Sequence, residues 1–450
     1  MTRGISKIRS ETRKGVELSA LLLILFLLYS ALRIVTFPAF EEVRSFPDTP
    51  VYTELASQTI WDLHFWVGPR PWTTSLFYKL LRIDPQRIAK FQLAFSTICW
   101  GLLALCVART LRSSWLGPIA FTMILVFSLS AEIIMWDGVI LSDSISLSLM
   151  ALFIASWLWL VEDWQWFKVA LLTLAAFLWS FAKDTNAWVV LMIAALIIIA
   201  VVARRIQGRY VLIASVFALI FVMNDVSANR AHRWVVAFMN IVGLRILPSP
   251  ERTAYFAELG MPVTPALMQR REKKAWTDNW AFFKDPGLQN FRDWLHADGK
   301  ASYIRFLLAH PAMTTQEPLR HPEELLAPEL KNYAPVNFSP ILSGALAEIV
   351  YVKIWGLLLI WAAGIVVGLV VGLGLWKHRK AVIVSLALIV LAYPHAVLVW
   401  HGDPNEIGRH ALQAGVHFRL GLWLLLMMAA DISIARLRRT NIVNSREGPD

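Results

Sequence analysis

The stretch HGDPNEIGRH, His401 to His410, gathers Asp403, Glu406, Arg409 and His410 just ahead of the final apolar run. Glu406 stands three residues from Arg409 and four from His410, spacings that share one helix face. A guanidinium held there can clamp a phosphate through two parallel hydrogen bonds, with the imidazole beside it. The plainer use is an ion-pair network within one helix. Three other stretches offer related chemistry. In AKDTNAW, Lys183 and Asp184 open an apolar run. Lys183 can serve as a point charge for a phosphate, aided by helix N-terminal amides, or the two residues can pair and cap the helix. In LSDSISLSL, Asp143 lies among Ser142, Ser144, Ser146 and Ser148, which read as an N-cap and one polar stripe. Asp143 is then either a capped helix end or a carboxylate that orients an acceptor or binds a divalent cation. Asp137, six residues earlier, is a weaker version of the same thing. Finally, FPDTPVY runs from Phe46 to Tyr52 and sets Asp48 between Pro47 and Pro50. The prolines make a stiff hook, and Asp48 can cap the helix that follows or face Asp143, with Tyr52 in support. No HExxH, Cys/His, GxGxxG, Walker or GxSxG pattern occurs, so nucleotide-driven and serine-hydrolase mechanisms have no support.

The elements that must position these residues are membrane spans. Of 450 residues, 57% are hydrophobic and 17% charged, with 21 tryptophans and a mean hydropathy of +0.54. A soluble chain of this size carries nearer a quarter charged residues. Apolar runs long enough to cross a bilayer recur, so the fold class is an all-α polytopic membrane protein. Ten spans are expected, near 16–35, 88–108, 116–136, 144–161, 168–182, 187–203, 210–226, 352–375, 380–400 and 416–433. The first follows basic residues without a small-residue cleavage site and reads as a retained span. Cys99 and Cys106 fall in one span, about two helical turns apart, too far for a disulfide within a regular helix.

Charge sets the expected orientation. One side of the ten-span layout collects eighteen Lys and Arg against seven Asp and Glu, which is the whole formal charge of +11. By the positive-inside rule that side, with both termini, is cytoplasmic. The basicity is therefore topological, and a nucleic-acid partner is not implied. On the outer side residues 36–87 form one long loop, with an interfacial segment from Trp72 to Leu81. Residues 227–346 form another, whose Trp276, Trp280, Phe282, Phe283, Phe291, Trp294, Tyr303 and Phe306 are too much apolar matter for a linker. Three units follow: 1–226, a membrane module; 227–346, an extracytoplasmic subdomain; and 347–450, a second membrane module with a cytoplasmic tail. Asp48, Asp143, Lys183, Asp184 and the 401–410 cluster then share one level on the outer face, where charges beside a bilayer are expensive and mark function.

This layout resembles the GT-C superfamily of integral-membrane glycosyltransferases, which includes the protein mannosyltransferases and the aminoarabinose transferase. The acid of FPDTPVY matches the family's first-loop acid, and the acid of LSDSISL its second, after the third span. Many relatives carry an adjacent pair in the first loop where this chain has Asp48 alone. The resemblance implies an enzyme of the plasma membrane whose active site faces outward. Its donor would be a polyprenyl-phosphate sugar, its acceptor a glycan, lipid or protein, and a divalent cation could take part. It further implies Asp48 as general base with Asp143 beside it. Lys183, Arg409 and His410 would bind the donor phosphate, supported by Asp184, Asp403, Glu406 and Tyr52. The alternative is a transporter or flippase, which would carry charges at mid-span and broken helices in two matching halves.

Overall fold

Apolar runs in this chain become helices because only a helix satisfies its own backbone inside lipid. The computed structural model describes residues 2–37, 43–326, 333, 339–352, 354–372 and 381–444. Among the described residues there is no strand, only an isolated bridge between Arg44 and Val139. Seven helices are long and apolar enough to span a membrane: Glu17–Val35 (α1), Pro85–Thr110 (α2), Asp143–Glu162 (α4), Asp184–Val202 (α6), Tyr210–Arg230 (α7), Ala381–Gly402 (α9) and Ile407–Ala435 (α10). The chain is therefore an all-α, multi-pass membrane protein. Trp166–Ser180 (α5) is shorter, and Ile354–Gly372 (α8) runs towards residues 373–380, which lie outside the described part, as do the basic turn at 377–380 and residues 445–450.

The run expected as one span at 116–136 is instead a bent pair. Leu116–Phe127 (α3) and a second piece, Ala131–Gly138, meet at 60°. Hydroxyls stabilise the break: Ser128 Oγ donates to the Leu125 carbonyl at 2.7 Å and Ser130 Oγ to the Phe127 carbonyl at 2.7 Å. They occupy carbonyls that a continuing helix would have used. Arg33, inside the first span, then ties the break to its surroundings. Its guanidinium donates to the Ser128 carbonyl at 2.9 Å, to Ser96 Oγ at 2.5 Å and to Asp137 Oδ2 at 2.7 Å. Both members of the Arg33–Asp137 pair are 1% exposed. Asp137 is thus not a surface carboxylate at a helix start, as its position in the sequence suggested, but half of a buried ion pair. The charges are not confined to span ends either, since Arg419 is likewise buried within α10, its guanidinium 4.1 Å from the Tyr351 ring.

Behind the break, the segment 138–142 is held from three directions. Gln92 Nε2 donates to the carbonyls of Asp137 at 2.9 Å and Val139 at 3.0 Å. Arg44 exchanges backbone hydrogen bonds with Gly138 and Ile140, both at 3.0 Å, and Thr49 Oγ1 donates to the Ile140 carbonyl at 2.8 Å. Tyr78 Oη donates to the Leu141 carbonyl at 2.8 Å. Every one of these partners precedes α3: the first long loop and the first half of α2 together clamp the segment that delivers Asp143.

The polar stretch 234–320 folds into short helices around its own core, where Phe238, Phe256, Phe282, Phe291, Trp294 and Phe306 are buried. Trp276, Trp280 and Phe283 remain exposed. Of the proline-punctuated stretch 310–340, residues 327–332 and 334–338 lie outside the described part; the rest forms Pro311–Gln316, Pro318–Arg320 and Pro322–Leu326.

A buried charge that loses its partner is left uncompensated, at a cost of about 3–5 kcal/mol, whereas replacing both partners with apolar groups is often near neutral. Asp137→Leu and Arg33→Met are each expected to lower the melting temperature of the detergent-purified protein by several degrees. The double variant should melt closer to wild type than either single one. Additive losses in thermal-shift measurements would contradict a coupled pair.

Candidate active site

α4 is the most enclosed span, with 83% of its apolar window buried, and Asp143 is its first residue. Consecutive spans alternate in direction, so the starts of α4, α6 and α10 lie at the same end of the bundle. Lys183 immediately precedes α6, and its Nζ meets Asp143 Oδ1 at 2.5 Å. Arg409 lies in the first turn of α10, which begins at Ile407 rather than near 416. Its Nη2 reaches Asp48 Oδ2 at 3.2 Å and its Nη1 reaches Glu406 Oε2 at 3.2 Å. Glu406 itself is outside the helix at φ 52°, a left-handed conformation that costs a non-glycine residue roughly 1–2 kcal/mol. Its backbone carbonyl accepts from the amides of Arg409 and His410. Backbone strain of this kind collects at functional sites.

Asp48 is not a helix cap. It occupies the N-cap position of Thr49–Ser57, yet its side chain makes no capping hydrogen bond. Its two oxygens go instead to two arginines, Oδ1 to Arg70 at 2.6 Å and Oδ2 to Arg409 at 3.2 Å. Arg70 was missed in the sequence, although it stands between Pro69 and Pro71 much as Asp48 stands between Pro47 and Pro50. The Arg70 guanidinium also lies 5.6 Å from the centre of the Tyr52 ring, and Tyr52 Oη donates to Ser142 Oγ at 3.1 Å. Asp48 and Arg70 are about one-third exposed, while Asp143, Lys183 and Arg409 are nearly enclosed. The fields of Asp48, Asp143 and Arg409 all act on Lys183, and those of Asp48 and Asp143 on Arg409, so the two ion pairs form one electrostatic unit. Burial, the largest influence, pushes the Lys183 ammonium below the ordinary lysine range against the pull of Asp143. Among the described residues His410 has no acid partner, and it sits in the fields of Arg409, Lys183 and Arg70.

One turn deeper a neutral polar layer holds the three helices in register. Ser146 Oγ accepts from Asn186 Nδ2 at 2.8 Å and from Gln413 Nε2 at 2.6 Å, and Trp179 Nε1 donates to Gln413 Oε1 at 3.1 Å. The serines do not form the expected single stripe. Residues two apart on a helix point to nearly opposite sides. Ser142 and Ser146 therefore meet Tyr52 and the α6–α10 layer, while Ser144 donates to Asp137 Oδ1 at 2.7 Å and Ser148 bonds back to the Ser144 carbonyl.

Two expected members are only loosely attached. Asp184 does not pair with Lys183. It receives a two-pronged bond from Arg233, both contacts at 2.9 Å, which secures the start of the 234–320 subdomain. Asp403 accepts from the Asn405 amide at 2.8 Å and from Asn240 Nδ2 at 3.1 Å. Burial raises its carboxyl to about 6. Tyr333 was not anticipated either. It hydrogen-bonds Glu406, and its ring packs 4.7 Å from that of Trp136 and 5.1 Å from that of Phe46.

Among the described residues no group of three or more His, Cys, Asp or Glu could hold a metal ion. Asp48 and Asp143 do not fit one as they stand, because two arginines occupy both oxygens of Asp48 and Lys183 holds Oδ1 of Asp143. The unit has three cations, Arg70, Lys183 and Arg409, and three carboxylates, Asp48, Asp143 and Glu406. Donors remain within it: Arg409 Nε is buried without a hydrogen-bond partner among the described residues, and Lys183 spends one of its three protons on Asp143. Such a cluster can receive an anionic group by exchanging an internal ion pair for an external one. No protein-family model matches the chain, and no curated protein matches it.

The Asp403 carboxyl has a folded value above its unfolded one, so the fold prefers its neutral form. The associated penalty is complete above about pH 6 and is relieved as pH falls towards 4. Asp403→Asn mimics the neutral form at every pH. The melting temperature of wild type should therefore gain on that of Asp403→Asn as pH is lowered from 7 to 5. A difference constant over that range would show that Asp403 does not titrate there.

Proposed function

We propose that the chain is a membrane glycosyltransferase of the GT-C type, moving a sugar from a polyprenyl-phosphate donor to an acceptor hydroxyl at the outer face of the plasma membrane. The observation that carries this reading is the single electrostatic unit formed by Asp48, Asp143, Lys183 and Arg409. Four separate segments contribute one charge each at the same end of the bundle, and structural pairing alone does not require that convergence. The cationic groups suit a phosphate that must be held and then neutralised as it departs. In the proposed reaction the acceptor oxygen forms a bond to the anomeric carbon as the bond from that carbon to the phosphate oxygen breaks. The lipid phosphate leaves with the bonding electrons, and the acceptor proton passes to Asp48.

The ion pairs give this chemistry an order. Before the donor binds, Arg70 and Arg409 occupy both oxygens of Asp48. A donor phosphate competes for Arg409, using Nε and then Nη2. Its arrival frees Oδ2 of Asp48 to accept a proton. Lys183 would shift from Asp143 in the same way, leaving Asp143 to orient the acceptor. Ten spans with both termini cytoplasmic follow from the loop charges, and the site end then faces outward. The transporter or flippase reading draws on the bent pair and on the buried Arg33 and Arg419. It would also call for a matching break in the other half, and only one bent pair occurs among the described residues.

Asp48→Asn keeps the size of the side chain and removes the proton acceptor. Because Asp48 is partly exposed, its ion pairs contribute about 1 kcal/mol or less, so folding and thermal stability should change little. Turnover of a polyprenyl-phosphate sugar should drop roughly 10²-fold or more. Full turnover in that variant would remove Asp48 as the base and send the search to Asp143 or Glu406.

The orientation has its own check. A membrane-impermeant thiol reagent added from outside should label a cysteine placed near residue 280 and miss cysteines near residues 207 and 378. The opposite pattern would turn the site towards the cytoplasm and overturn the assignment.

A further inference from the structure

The stretch RREKKAWTDNWAFFK, Arg270 to Lys284, sets four large aromatic residues among five basic and two acidic ones. Hydrophobicity alone would bury all four rings. Only Phe282 enters the core of the 234–320 subdomain, while Trp276, Trp280 and Phe283 stay 38%, 41% and 36% exposed. Their rings adjoin in sequence: Trp276 and Trp280 lie 6.4 Å apart at 59°, and Trp280 and Phe283 lie 5.7 Å apart at 61°. Together they form one faceted aromatic surface.

The backbone is strained to present it. Asp278, Asn279 and Trp280 have φ of 55°, 57° and 64°, three consecutive left-handed residues of which none is glycine. Such strain persists only where its surroundings over-determine it, and it gathers at binding sites. Here Asp278 accepts from Arg270 at 2.9 Å and from Lys273 at 2.5 Å, and Asn279 accepts from Lys284 at 3.0 Å. Those contacts, with Glu272 3.9 Å from Arg271, use up both acids of the stretch. Lys274 and Lys284 are then paired with no carboxylate among the described residues. They bracket the aromatic run, and Lys274 Nζ lies 5.6 Å from the Trp276 ring.

The base of this loop is fixed beside the candidate active site. Gly243 lets the backbone of Lys273 approach so closely that a Cβ there would meet its carbonyl at 2.0 Å. The Ala275 amide donates to Asn240 Oδ1 at 2.8 Å, and Asn240 Nδ2 donates to Asp403 at 3.1 Å. Asp403 lies in the fields of Arg409 and Glu406. Trp276 therefore begins two hydrogen bonds from the connection between α9 and α10 that carries the phosphate-binding arginine.

We infer that this surface holds an anionic glycan, with sugar rings on Trp276 and Trp280 and acidic substituents towards Lys274 and Lys284. That this glycan is the acceptor rests on the proposed reaction; its binding does not. The negative face of an indole attracts the weakly positive C–H face of a pyranose. A wholly apolar partner would desolvate two ammonium groups without answering them, and a small anion would leave three rings uncovered. The tether to Asp403 favours an acceptor over a lipid surface.

The probes are a β-1,4-linked glucuronic acid tetramer and cellotetraose, which differ only at C6. Their binding to the detergent-purified full chain can be measured by calorimetry without any donor. Wild type should hold the acidic tetramer roughly tenfold more tightly, the factor expected for one charged hydrogen bond. Trp280→Ala should weaken both sugars severalfold, and Trp280→Phe, which keeps a ring, should restore most of the loss. Lys274→Gln combined with Lys284→Gln should erase the preference and leave cellotetraose unchanged. Equal affinity of wild type for the two sugars, binding of neither, or unchanged binding in Trp280→Ala would overturn the inference. Binding that is lost in nanodiscs rich in phosphatidylglycerol would also overturn it, by giving the surface to the membrane. Each of these results leaves the proposed reaction standing, with its acceptor held elsewhere. Loss of turnover chemistry would in turn leave the sugar binding intact.

Discussion

The buried pair between Arg33 and Asp137 is the constraint on which the rest of the candidate site depends. Neither charge could remain alone inside a membrane bundle, so each fixes the other and with it two separate spans. Arg33 also takes the carbonyl exposed where the third span breaks, and Asp137 receives the hydroxyl of Ser144 from the first turn of α4. The break, the link 138–142 and the start of α4 are therefore set by one polar knot. Once that knot is tied, the long first loop has a backbone edge to bind, and its bridge at Arg44 brings Asp48 within reach of Arg409. A site assembled from loops is held here by a buried ion pair bonded to the first turn of α4.

The site above is balanced rather than strongly charged. Its three cations and three carboxylates cancel internally, which lets a group of ions persist at a bilayer edge without a ligand. The balance also explains why the centre would discriminate. A neutral solute gains nothing by breaking these pairs, whereas an anion replaces each broken contact with an equivalent one and releases a carboxylate. Enclosure increases from Asp48 and Arg70 at the rim to Asp143 and Lys183 within. Electrostatic contacts are accordingly stronger at depth, where water competes least.

Much of this arrangement was legible in the sequence, and the limits have physical causes. Span positions followed from hydropathy because lipid admits few alternatives to an apolar helix; α2, α4 and α9 fall within a few residues of expectation. The break in the third span was invisible, since Phe-Ser-Leu-Ser, residues 127–130, reads as a mild dip in an apolar run, and Arg33, which holds the exposed carbonyl, lies 95 residues away. Asp48, Asp143, Lys183 and Arg409 were recognised as a group because charge at a membrane edge is costly wherever it occurs. Their pairing was not readable: Lys183 was matched with its neighbour Asp184, and the fold matches it with Asp143. Arg70 carried a signal, an arginine fixed between two prolines, that counted for little without knowing what it faced. The start of α10 was placed too late because Arg409, His410 and Gln413 lower the hydropathy of its first turns, although polar side chains facing the bundle interior are compatible with a span.

The 234–320 subdomain has its own apolar core, so its attachment to the bundle rests on a small number of polar links. Arg233 reaches Asp184 at the start of α6, Asn240 reaches Asp403, and Arg245 stacks 4.2 Å from the Trp400 ring near the end of α9. Units joined in this way ordinarily move as rigid bodies about their contacts. Here the contacts are adjacent to the site itself: Asp184 follows Lys183 in sequence, and Asp403 lies in the field of Arg409. A displacement of the subdomain would pull directly on Asp184 and Asp403, and so on the surroundings of Lys183 and Arg409.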